Sequence, residues 1–448
     1  MIFNINKPQR INILLFVFMA FNILLISNTN FQSLYSYLYT VLLFFLISKV
    51  IKTKEFFLSN LLVLNFFIFL SILLFWSQYL IIPEGFGFSG PNGVGTDDSK
   101  FFAGVATNEI NIPRFAKGSI GMKHSFITFL RILYPFQITH PLTIIIPNIL
   151  GICFIPYFTL KLTHTLTNNI KISNTAYMLI MFCPVLLSNS LILIRDGWTA
   201  FFTLSGVYYL IKNHSLGFVI TLGLLFLIRP GSGLLLLSIS ILYFRNSFFK
   251  GANSDKIPRV VVGLVFFALF AYFSSSFLSE YLDNKGVSGF DRQSFVESII
   301  KEQDANSIIY KIYTLPIYFR IPIGFVFFLF LPFYRTEVYT LDILNIRNIM
   351  FTMIMPILSL FYYKYFITGI LYFFKTKDKI MMRFFYVFCF SLLIISQISI
   401  QPRHKTAIMP LFYVLVAYGI HKRSSSYRVI GAFIFVSLIL IQLYFNLF

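Results

Sequence analysis

From residue 11 to the C-terminus, apolar residues come in long unbroken blocks, and this pattern decides the fold class before any other feature is weighed. A helix rises about 1.5 Å per residue, so about 20 apolar residues cross the roughly 30 Å hydrocarbon core of a bilayer. Blocks of that order recur along the chain, in place of the amphipathic stripes of a soluble helix. With 57% hydrophobic residues and 12% charged, a chain of 448 residues has too little polar surface to cover itself in water. A transmembrane β-barrel is excluded, because barrel strands alternate apolar and polar residues and these blocks do not. The expectation is an all-α polytopic transmembrane helical bundle of about 12–14 spans, forming one integral membrane domain over residues 1–448.

Thirteen spans are expected, near 11–28, 34–51, 56–82, 141–160, 175–194, 197–212, 216–228, 231–244, 260–279, 348–373, 384–400, 407–421 and 428–447. The first block has no small-residue cleavage site and reads as a transmembrane helix, not a removed signal. The apolar stretch 321–333 is short and is assigned as re-entrant from the outer side. With the N-terminus inside, the cytoplasmic segments are rich in Lys and Arg and hold only three acids, Glu55, Asp255 and Asp378. That asymmetry follows the positive-inside rule. It also accounts for the net charge of +20 without a nucleic-acid partner. Cys153, Cys183 and Cys389 all fall in apolar blocks, as packing residues, with no metal spacing and no disulfide framework.

Two long outer loops remain, 82–140 and 280–320, and loops of such length are usually functional. The first contains Asp97-Asp98, followed by Ser99-Lys100-Phe101-Phe102. A carboxylate here can take a proton from a sugar hydroxyl or hold a divalent cation against a diphosphate. The plain alternative is a solvated turn. Residues 101–106 are apolar enough to start a helix along the membrane surface. Arg195-Asp196 sits between two apolar blocks, where ionisable residues are expensive and usually functional. The alternative is a local ion pair at a helix start. Arg229-Pro230 breaks a long apolar stretch, which places Arg229 in a protein-lined pocket able to hold a phosphate bidentately. Its alternative is a snorkelling arginine at a helix hairpin. Arg403-His404-Lys405 is a tight basic cluster between two spans, suited to phosphate binding, with His404 available for proton transfer. The alternative is a basic loop on the cytoplasmic side.

The acidic pair with its following aromatics, the run Leu193-Ile194-Arg195-Asp196 ahead of Ile228-Arg229-Pro230, and the late Arg403-His404-Lys405…Pro410 segment together resemble the glycosyltransferase C superfamily. Size and hydropathy are similar to the O-antigen and capsule repeat-unit polymerases of bacterial surface-polysaccharide synthesis. The resemblance implies glycosyl transfer from an undecaprenyl-linked donor at the outer face of the bacterial inner membrane. It implies Asp97 or Asp98 as base and Arg195, Arg229 and Arg403 as phosphate ligands. A chain-length regulator is an implied partner, alongside the lipid-linked oligosaccharide and the membrane lipid itself. A transferase of single sugars and a flippase of lipid-linked oligosaccharide are the competing classes. Scarce charge within spans, with Lys364 the clearest case, favours an enzyme over a flippase.

Overall fold

A computed structural model describes residues 8–51, 53, 56–81, 101–102, 105–106, 120–248, 311–312, 314–330, 354–398, 402–422, 429–433, 435–437 and 439–440. The chain is an all-α, multi-pass membrane bundle, and no strand occurs among the described residues. Six helices are long and apolar enough to cross a bilayer, or seven if one bent pair counts as a single span.

The N-terminal unit is α1 (Pro8–Thr29), α2 (Phe31–Ile51) and α3 (Phe57–Ile81). Its surface is inverted relative to a soluble protein. The buried face of α2 carries Ser33, Ser36, Tyr37, Thr40, Phe44 and Ser48, while Leu38, Leu42, Leu46 and Val50 point outward. Hydrocarbon accepts the apolar face, and the polar groups must find partners inside. Asn22 of α1 donates to the Asn65 carbonyl on α3 at 2.9 Å, and Tyr37 of α2 donates to the Asn65 side chain at 2.6 Å. One buried asparagine thereby ties three helices.

The centre is built from α4 (Ile120–Leu133), α5 (Leu142–Asn148), α6 (Leu150–Cys153), α7 (Ile155–Thr167), α8 (Ile170–Met181) and α9 (Pro184–Ser190). The expected span 141–160 is present and longer in the structure, as one span over Leu142–Thr167 with two single-residue turns inside it. Pro147 and Pro156 remove backbone donors there, and turns at Ile149 and Phe154 separate α5, α6 and α7. The expected span 175–194 departs from the structure. It begins earlier, as α8, bends by 47° into α9 at Pro184, and ends at Ser190.

The helix α10 (Asp196–Ile211) follows, then α11 (Ser215–Ile228) and α12 (Pro230–Phe248). A later group comprises α13 (Ile317–Phe330), α14 (Met355–Thr376), α15 (Lys379–Ile398), a 3-10 segment (Pro402–Ile408) and α16 (Met409–Lys422). The described part of α13 covers most of the apolar stretch 321–333 that the sequence assigns as re-entrant. The expected span 407–421 is α16, entered through the 3-10 segment. The expected span 260–279 and most of the second long loop lie outside the described residues. The two groups join through α16, which packs on α7, α8 and α14, and through the 3-10 segment, which lies on α9, α10 and α15.

Candidate functional site

The site starts from four residues that should be helical and are not. Leu191, Ile192, Leu193 and Ile194 are fully apolar, yet they run as irregular backbone between α9 and α10, and all four are buried. Irregular backbone at such depth persists only where side chains satisfy its polar groups. Asn148, at the end of α5, donates its amide to the carbonyls of Ile192 at 3.0 Å and Ile194 at 3.3 Å. Ser71 of α3 donates to the Leu191 carbonyl. Asn148 also accepts the indole N–H of Trp198 at 3.0 Å.

This stretch delivers Arg195 and Asp196 to the start of α10. Asp196 is buried in the first helical turn, where the helix dipole favours an anion. Arg229 is the C-cap of α11, with extended backbone (φ −151°, ψ 89°), as a residue before proline prefers. A cation is favoured at that end of a helix. The Arg229 Nη1 lies 2.6 Å from Asp196 Oδ1, and the side chains are 19% and 8% exposed. The partner of Asp196 is thus an arginine 33 residues on. The sequence suggests Arg195-Asp196 as a functional pair or a local ion pair at a helix start, and Arg229 as a phosphate ligand or a snorkelling arginine. The structure merges the two features into one ion pair, which holds part of the guanidinium.

The first long loop reaches the same place. Phe101 and Val105 are buried, and Phe101 packs edge-on against Phe126 of α4 with centroids 5.0 Å apart. Arg131 of α4 donates to the Val105 carbonyl. Phe129, one turn from Phe126, meets the Trp198 ring edge-on at 4.9 Å. Asp97 and Asp98 lie outside the described residues. Phe101, three positions after Asp98 in the sequence, is thus joined through Phe126 and Phe129 to Trp198, two positions after Asp196.

The 3-10 segment brings the late basic cluster to α9 and α10. Thr406 accepts from Asn189 of α9 at 3.2 Å. Lys405 of the basic cluster expected between two spans points into the bundle. It is buried, donates to the Leu329 carbonyl at the end of α13, and donates to the Tyr363 hydroxyl of α14 at 3.0 Å. A backbone carbonyl and a phenol hydroxyl thus accept from its ammonium there. His404 is half-buried, and the side chain of Arg403 lies outside the described set.

Burial pushes the Lys405 ammonium down to about 7. A lysine with a depressed pKa penalises the fold while it is charged in both states, below about 7. The penalty lifts as pH rises from there toward 10.5, the ordinary value of a lysine. The melting temperature in detergent should therefore rise by a few degrees between pH 6.5 and 9 relative to Lys405→Met, which removes the titrating group. Parallel pH profiles for the two proteins would refute the burial of a charged Lys405.

Sequence reasoning missed Asn148 and Asn189 as parts of the site, and it reads Trp198 as an interfacial anchor where the structure buries the ring and bonds its indole to Asn148. For Asn148 a signal existed: an amide directly after Pro147 in an otherwise apolar run. Among the described residues no group of three or more His, Cys, Asp or Glu can hold a metal. The acidic pair offered for a divalent cation is not among them. No protein-family model matches the sequence, and no curated protein matches it.

Proposed function

We propose that this chain is a membrane glycosyltransferase of the repeat-unit polymerase type, taking undecaprenyl-linked donors at the periplasmic face of a bacterial inner membrane. The observation that carries this reading is the convergence at α10. The Asp196–Arg229 pair, the anchored 3-10 segment with Arg403 and His404, and the aromatic contacts that start at Phe101 all meet the first two turns of that helix or the elements packed on it.

Transfer requires a carboxylate to accept the proton of the acceptor hydroxyl. The hydroxyl oxygen bonds to the anomeric carbon, and the anomeric C–O bond to the diphosphate breaks. The diphosphate leaves with the electron pair, and arginine forks stabilise its charge. Asp97 or Asp98 is the base in this scheme, and Arg195, Arg229 and Arg403 are the anion ligands. Asn148 and Trp198 act on the site only through other residues.

The test is conversion of an undecaprenyl-diphosphate-linked repeat unit into a ladder by the purified protein in lipid. One of Asp97→Asn and Asp98→Asn should lose about 10²–10⁴-fold in rate, since Asn keeps the shape but takes no proton. A full ladder from both variants at normal protein level would remove the acidic pair from the chemistry. No ladder from the native chain would remove the function.

A further inference from the structure

We infer that Asn148 is the positioning residue of this site, a single side chain that clamps the Arg195–Asp196 turn from both sides. The inference rests on the proposed function for its catalytic consequence, though not for its geometry. Asn148 holds the backbone at Ile192 and Ile194 on one side of the turn and the indole of Trp198 on the other. Only Arg195, Asp196 and Gly197 lie between those grips.

The orientation of the amide is unambiguous. A carbonyl only accepts and an indole N–H only donates, so Nδ2 must face the carbonyls and Oδ1 the tryptophan. Three bonds on one buried amide leave little freedom to reorient. The surrounding packing closes the same clamp. A methyl on Gly151 would lie 2.7 Å from the Trp198 ring, and one on Gly197 would lie 2.6 Å from Ile152. So α6 is pressed against the start of α10 with no room for a slipped register. With both flanks of the turn fixed, the Asp196 carboxylate is aimed at Arg229 by the backbone and not by its own rotamer alone.

A side chain that merely satisfied two buried carbonyls would affect stability. A clamp also governs the mobility of the turn, and this can be read without any activity. Arg195→Cys, in a Cys389→Ala background, reports the turn through its rate of reaction with a small methanethiosulfonate. Cys183, buried at the start of α9, reports global opening. Adding Asn148→Leu should accelerate labelling at position 195 about tenfold while Cys183 stays silent. In the chain with native Arg195, Asn148→Leu should lower transfer about 100-fold, the scale expected when a site is displaced by about 1 Å. Equal labelling rates at 195 with and without Asn148→Leu would overturn the inference.

If Asn148→Leu also exposes Cys183, the deciding variant is Trp198→Phe, which removes one grip and keeps the ring. It should accelerate labelling at 195 about threefold, and an unchanged rate would overturn the clamp. A native chain that transfers no sugar defeats the proposed function only. The labelling comparison still decides the clamp.

Discussion

Asp196→Asn and Arg229→Gln should each abolish transfer and destabilise the protein, and the double variant should recover stability without activity. Removing one member of a buried ion pair leaves the other charge without compensation, at a cost of about 3–5 kcal/mol. The pair here is 19% and 8% exposed, so the lower end of that range, about 3 kcal/mol, is the expected loss for each single change. Neutralising both removes the orphaned charge, and melting in detergent should return close to the native value. Transfer should not return, because the arginine fork and the anion that orients it are both gone. Arg229→Lys separates the two roles. An ammonium keeps the pairing charge but not the planar fork, so stability should be largely retained and transfer lost. A double variant that loses the sum of the two single losses would show that the two charges are not energetically coupled. Full transfer by Arg229→Lys would reduce the arginine to a generic cation.

Gly419→Ala should be the most damaging single methyl addition among the described glycines. Helices α14 and α16 cross at Gly369 and Gly419, and a methyl on Gly419 would sit 1.9 Å from the Tyr365 carbonyl oxygen and 3.0 Å from the Gly369 nitrogen. Both obstacles are backbone, so no side chain can turn aside. The helices must separate, and overpacking of this severity costs about 3 kcal/mol or more. In a membrane the contact has no hydrophobic drive to restore it, since lipid solvates the parted faces as well as they solvate each other. Separation would move α16 together with the 3-10 segment from which it starts, so the site should fail along with the fold. The methyl on Gly369 meets Gly419 at 3.0 Å, a milder clash that should give a smaller loss. Folded yield and melting temperature in detergent check the order. A Gly419→Ala protein that melts with the native chain would mean that the two helices pack further apart than described.

Several features of this architecture could be read directly from the sequence. Length and apolarity marked α1, α2, α3 and α14 closely, because a span must be long, apolar and locally complete. The breaks in 142–167 and at Pro184 follow from prolines that a hydropathy reading passes over. Asp196 and Arg229 were each conspicuous as ionisable residues in apolar surroundings, but their union was not legible. It depends on how α10 and α11 lie against each other, and nothing in either residue's neighbourhood encodes that. Lys405 misled for a related reason. A basic cluster between spans reads as wet, and only the end of α13, 76 residues earlier, reveals an acceptor inside the protein. Asn148 was hidden because its partners are backbone carbonyls of Ile192 and Ile194, residues whose side chains advertise nothing polar.

The separation of Asp196 and Arg229 along the chain also constrains how the protein is made. Asp196 leaves the ribosome 33 residues ahead of Arg229, an interval of about 2–7 s at ordinary rates of synthesis. During that interval α10 begins in a carboxylate whose arginine is not yet made, at a cost below the mid-helix figure of about 2.5–3.5 kcal/mol because Asp196 stands in the first turn. The apolar run of α11 is only 14 residues long and ends in a residue that carries a similar burden. Neither helix is therefore a good solitary substrate for the insertion machinery. They become one only as a hairpin, when the second charge arrives to neutralise the first. Insertion of this region should therefore be cooperative, with α10 and α11 entering the bilayer together once Arg229 has been made.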